Sequence, residues 1–148
     1  MKYAFQEFNK ETMAKAYGKD LGISTKHSVE ICKYLKGKSV EKAKKILEEV
    51  DKKPIPFTRF NRDRGHKPGI GPGRYPIKAS GEILEILKNA EANATQKGLS
   101  NLFIIHMCGH RAARPWHHGR KRRQKTKATH IEIVLGPKIK KQEAKDKK

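Results

Sequence analysis

The sequence predicts an α+β fold: three helices packed on a small three-stranded antiparallel sheet, with a long protruding β-hairpin. Three observations predict it. Helical apolar spacing recurs in three separate windows. Two β-patterned runs, Leu102–Met107 and Ile131–Leu135, bracket a long polar excursion. No acidic residue occurs between Glu91 and Glu132, so that excursion is purely cationic. Such a finger suits a polyanion, because nothing on it neutralises its own charge.

Taken in order, an extended-looking piece from about Met13 to Leu21 supplies the first strand. Ser24 or Thr25 can cap a helix running to about Lys36, with Ile31 and Leu35 on one face. Gly37 stops it at the usual C-terminal position. Ser39 caps a second helix, and Glu41 in its first turn complements the helix dipole. Ala43, Ile46, Leu47 and Val50 follow the i, i+3, i+4, i+7 rule along it.

Residues 51–76 break the pattern, with Pro54, Pro56, Pro68, Pro72 and Pro76 set among Gly65, Gly69, Gly71 and Gly73. An irregular basic loop is expected there. Pro76 suits the first turn of a third helix, whose apolar face is Ile83, Leu87, Ala90 and Ala94, and Gly98 ends it. Strands follow near Asn101–Cys108 and Lys127–Leu135. In the second, Ile131, Ile133 and Leu135 should face the helices. If both strands continue outward through the excursion, each arm gains about ten residues, or roughly 30 Å. A two-stranded ribbon has no core of its own, so its order is expected to come from a partner.

One domain is expected over 1–136, with 51–76 as a loop insert, 103–132 as the extended hairpin, and a basic, fraying tail at 137–148. The 148 residues carry 35 Lys+Arg against 15 Asp+Glu, a net charge of +20 and a pI of about 10.1. That balance points to nucleic acid. No helix pairs a bulky apolar face with a basic one strongly enough to favour a membrane surface. No signal peptide and no membrane span are expected. Cys32 and Cys108 form no CxxC and read as idle thiols in a reducing cytosol.

The chemistry lies in two basic segments. The hairpin segment holds Arg111, Arg114, Arg120, Lys121, Arg122, Arg123, Lys125 and Lys127. Arginine offers phosphates a planar fork and lysine a point charge. Trp116, His117 and His118 near the tip can stack on or contact unpaired bases. The plainer alternative is a solvated loop, but solvated faces mix signs and this one does not. The loop at 52–78 has eight Lys/Arg and one acid, Asp63; Arg59, Arg62, Arg64, Lys67 and Arg74 are its candidate RNA contacts. A bare linker is the alternative there, and Phe57, Phe60 and Tyr75 argue against it.

Other sites find less support. His106, Cys108 and His110 share one strand face, but no recognised spacing supplies a fourth zinc ligand. Gly69–Gly73 lacks the Gly-Lys-Ser/Thr ending of a phosphate loop. No nucleophile–base set is suggested, and the basic segments offer no carboxylate beyond Asp63, so neither an enzyme nor a cofactor is expected.

Several separated motifs then agree in order. Gly119-Arg120 is followed after nine residues by His130-Ile131-Glu132-Ile133-Val134-Leu135. Leu35-Lys36-Gly37-Lys38-Ser39-Val40 precedes Ala43 and Leu47, and Asn89-Ala90-Glu91-Ala92-Asn93-Ala94 lies at the end of the third helix. Together these resemble the L-twenty-two family of large-subunit ribosomal proteins over roughly 13–136. Pro56-Phe57-Thr58-Arg59-Phe60-Asn61 and Gly71-Pro72-Gly73-Arg74-Tyr75-Pro76 are similar to its archaeal and eukaryotic members. Many members place an Arg–small pair where this chain has Trp116 and His117. The resemblance implies a structural role on the cytoplasmic ribosome, bound to large-subunit rRNA beside other large-subunit proteins. It implies that the hairpin, carried over onto about 103–132, lines the exit tunnel near the nascent polypeptide. It implies neither a membrane nor a homo-oligomer.

Overall fold

The computed structural model describes residues 3–50, 68, 69, 71 and 73–137. Its elements run β1 (Ala14–Leu21), α1 (Thr25–Leu35), α2 (Val40–Glu49), α3 (Ile77–Gln96), β2 (Phe103–Arg111) and β3 (Thr129–Gly136), with a 3-10 turn at Gly119–Lys121. The expectations for Arg59, Arg62, Arg64, Lys67 and most of the tail lie outside the described residues.

The three strands form one antiparallel sheet in the order β1-β3-β2. The last strand in sequence is therefore the middle one. Its apolar alternation seats Ile131, Ile133 and Leu135, all fully buried, against Ile31, Leu35, Ile83 and Leu87 of the helices. Each such side chain contributes roughly 1.5–3 kcal/mol on burial. Val40, Ala43 and Leu47 bring α2 into the same core; on α3 the expected Ala90 and Ala94 are buried, and Ala79 and Ile86 extend the face beyond the expected residues.

The boundaries follow local chemistry, with one departure. Gly37 takes φ 83° after α1, a left-handed conformation that favours glycine. Its N–H donates to Ile104 O, and Ile104 N donates to Lys38 O, so the α1–α2 link covers the start of edge strand β2. Ser24 and Ser39 stand at the N-caps as expected, but neither side chain makes a capping hydrogen bond. Thr25 is drawn elsewhere: its hydroxyl lies 2.8 Å from that of Thr129 at the foot of β3.

The second face of the sheet is covered too, which the pattern did not announce. Tyr3 to Met13 crosses it as a strap. Ala4 N–H donates to the Glu132 carboxylate at 2.9 Å, Phe5 stacks on His106, and Tyr3 packs edge-on against Tyr17. The Lys15 ammonium sits over the rings of Tyr3 and Phe8 at 4.7 and 4.8 Å. Glu132 and Val134, on the face opposite Ile133, are consequently buried.

Ile133→Ala should therefore lower unfolding free energy by roughly 2–5 kcal/mol, since the cavity opens at the centre of the core. Urea titration followed by circular dichroism checks this.

Candidate nucleic-acid interface

The β2–β3 ladder runs from Phe103↔Gly136 to Arg111↔Thr129. Beyond it the chain stays paired but ceases to be regular strand. Ala112 N donates to Ala128 O, Thr126 N to Pro115 O and His117 N to Gln124 O, with an isolated bridge at Trp116↔Lys125. The two continuous ribbon arms expected from the sequence are thus replaced by an irregular arm. The reason is local: Pro115 has no N–H to give a ladder. Gly119, at φ 66°, opens the 3-10 turn that reverses the chain. Only Ala112 and Ala128 at the root are buried.

The arm places the nominated cations on its surface. Arg111, Arg114, Arg120, Lys121, Arg122, Arg123, Lys125 and Lys127 are all exposed, as are Trp116 and His118, while His117 is half-buried. Trp116 is 60% exposed, and the Lys125 ammonium lies 4.6 Å from its ring centre. A base can stack on an indole of this exposure. Arg114 and Arg122 also bond within the arm: Arg114 Nε donates to Thr126 O, and Arg122 Nε to Gly119 O. Arg74 lies well apart in sequence, before α3, and one of its terminal nitrogens donates to Gly73 O.

At the root of the arm a cleft of about 360 Å³ is lined by Gly22–Ser24, His27, Tyr75–Ala79 and Lys127. The first turns of α1 and α3 open onto it, and neither contains an acid, whereas α2 has Glu41 in its first turn. Lys78 joins Lys127 there. Sequence reasoning missed Lys78 as a site residue. The available signal was a lysine in a first turn, where helix dipoles favour acids. The outer helical layer is different in character: α2 and α3 together carry five lysines and six glutamates.

The profile of one protein family, described as Ribosomal protein L22p/L17e, matches residues 16–136. The chain belongs to this family. Large ribosomal subunit protein uL22 of Methanosphaera stadtmanae is 44% identical to it, over 90% of this chain and 95% of its own length. The protein of the same name from Methanococcoides burtonii is 40% identical, over 87% and 92%. That from Methanocella arvoryzae is 46% identical, over 68% and 70%. The L22p/L17e match takes in nearly all of the sheet, the three helices and the whole arm, and it begins after the strap.

The L22p/L17e sheet carries one further polar cluster, on its strap side. Glu132 Oε2 lies 3.8 Å from His106 Nε2, and Glu132 Oε1 lies 3.6 Å from His110 Nε2. Both Nε2 atoms are buried without a hydrogen-bond partner. Among the described residues no group of histidines, cysteines and carboxylates is arranged to hold a metal ion. Cys32 is buried in the core, and burial pushes its thiol up to about 12, so it is inert at neutral pH.

Burial holds the His106 imidazole below its ordinary value of 6.5, helped by Lys36 and His110 and opposed by Glu132. The unfolded chain therefore takes up this proton first as pH falls. Stability should be flat in this term above about pH 6.5 and decline below it, as the unfolded state binds the extra proton. His106→Gln should reduce the drop in urea midpoint between about pH 7.5 and about pH 5.5; an undiminished drop would show that His106 is not its source.

Proposed function

We propose that the chain is a structural, non-catalytic constituent of the large ribosomal subunit. It binds large-subunit rRNA through the arm and its root as a single domain over 1–136, and it acts on the cytoplasmic ribosome. The observation that carries this is the arm: eight exposed cations and no acid between Gly109 and Ala128. Family membership and the relatives' being large ribosomal subunit proteins support the choice of polyanion. Phosphate contacts hold position, and recognition rests on rRNA shape more than on base edges.

Charge also orients the domain. The helical layer mixes signs, so it faces solvent or neighbouring large-subunit proteins, while the arm and the Lys78–Lys127 cleft face RNA. The basic loop adds Arg59, Arg62, Arg64, Lys67 and Arg74 as further rRNA contacts, on the strength of their charge. The hairpin, over about 103–132, lines part of the nascent-polypeptide exit tunnel, with the nascent polypeptide near its tip. That part rests on the family resemblance.

Affinity for a large-subunit rRNA transcript should fall roughly a thousandfold or more between about 50 and about 200 mM salt. A flat response would remove the electrostatic basis of the assignment. Changing Arg120, Arg122 and Arg123 together to Ala should lower the salt slope by about two to three while leaving helical circular dichroism unchanged. Stoichiometric cosedimentation with large subunits separates this function from that of a free RNA chaperone.

A further inference from the structure

We propose that Arg114 is a positioning residue, which ties the two strands of the arm together so that the arm is ordered before RNA reaches it. This rests on the RNA-binding function above and assigns one of its nominated contacts a different role.

The register places Arg114 at the arm's weakest point. Ala112 bonds to Ala128, and the next rung joins Pro115 to Thr126. Between them the outgoing strand carries Ala113 and Arg114 against Lys127 alone. This is a bulge, which interrupts a ladder and bends it. Pro115 follows at once and has no N–H to donate. Arg114 reaches across: its Nε donates to Thr126 O at 3.0 Å and a terminal nitrogen to Lys125 O at 3.5 Å. Thr126 closes the rung from the other side, since its N–H and its hydroxyl both donate to Pro115 O, at 2.9 and 3.0 Å.

Everything beyond the bulge hangs on this tie. His117 N donates to Gln124 O, Gln124 N to Lys121 O and Arg122 N to Gly119 O, and Lys125 covers Trp116. An isolated two-stranded ribbon is marginal in water. One that also carries eight like charges needs cross-strand bonds to stay paired. The side chains of Arg111, Arg120 and Arg123 have no partner among the described residues, so they are free to meet phosphates in a way that Arg114 is not. An arm ordered in advance loses less conformational entropy on binding.

The test uses the full chain and a large-subunit rRNA transcript, and reads the salt slope together with amide exchange of the RNA-free protein. Lysine at 114 keeps the charge and loses the fork. Arg114→Lys and Arg114→Ala should both weaken binding by roughly three- to tenfold. Both should keep the wild-type salt slope, and both should speed exchange at the His117 and Thr126 amides. Arg120→Ala should instead lower the slope by about one and leave exchange alone. The proposal is overturned if Arg114→Lys binds like wild type, if Arg114→Ala lowers the slope by about one, or if those amides are unprotected in the free wild-type protein. If wild type fails to bind the transcript, the RNA-binding function falls, and the exchange data still decide whether Arg114 orders the arm.

Discussion

The central strand of the sheet must be buried on both faces, and the rest of the molecule is arranged to meet that demand. From Thr129 to Gly136 only His130 is not fully covered. One face, Ile131, Ile133 and Leu135, is met by three helices. The other presents Glu132, a carboxylate that cannot be left unpaired in the interior at tolerable cost. The strap answers it with the Ala4 N–H, and two imidazole edges complete its surroundings. The N-terminal segment is thus held by the Ala4–Glu132 hydrogen bond, by the Lys97 ammonium donating to Lys10 O and Met13 O, by a tilted stack of Phe5 on His106 and by cation–π contacts from Lys15 and Lys97 to Phe8, not by a ladder.

The same strand carries the arm, so core and interface share one rigid element. Thr129 is where β3 leaves the core, and it is fully buried. Its hydroxyl donates to Ile23 O at 3.0 Å. A hydroxyl has one hydrogen, so the short contact with Thr25 must have Thr25 as donor. The pair locks the foot of the arm to the start of α1, next to Ile23 and Ser24 in the wall of the Lys78–Lys127 cleft. Direction at the root is fixed by buried hydrogen bonds, while the charge that meets RNA lies farther out.

Much of this was legible in the residues. Helical spacing at Ala43, Leu47, Ile83 and Leu87, alternation at Ile131, Ile133 and Leu135, and Gly37 and Gly98 as stops all reappear as built, because each signal comes from burial or from a left-handed φ. Three things were not legible, for physical reasons. The strap has no periodicity, since it is held by ring contacts and by scattered bonds between its backbone and the side chains of Glu132 and Lys97. The middle position of β3 depends on tertiary pairing that local pattern does not encode. The cross-strand bonds that hold the arm together around its bulge depend on Arg114 choosing backbone acceptors. Composition reports its charge but not its partners. For the site, the exposure of the arm cations could be read in advance. The convergence of Lys78 with Lys127 could not, because they are about fifty residues apart and meet only once α3 is docked.

The acid-free arm is also a constraint on the fold that supports it. Two unit charges about 10 Å apart in water repel by only about 0.4 kcal/mol, and physiological salt reduces this further. Summed over eight cations, the repulsion is comparable to the worth of the few cross-strand hydrogen bonds that close the arm. Acids interspersed along it would relieve the strain, but they would repel a polyanion. The chain keeps its acids off the arm instead: seven of the fifteen lie on the three helices, where Lys44 pairs with Glu91 and Lys33 with Glu30. The arm is left to hold its shape with neutral partners for its backbone and cations: carbonyl acceptors for Arg114, a threonine hydroxyl, an indole under the Lys125 ammonium. Segregation of this kind favours a ribbon that is just stable enough to present its charge, and it makes the bonds at Pro115 and Thr126 matter more than their number suggests.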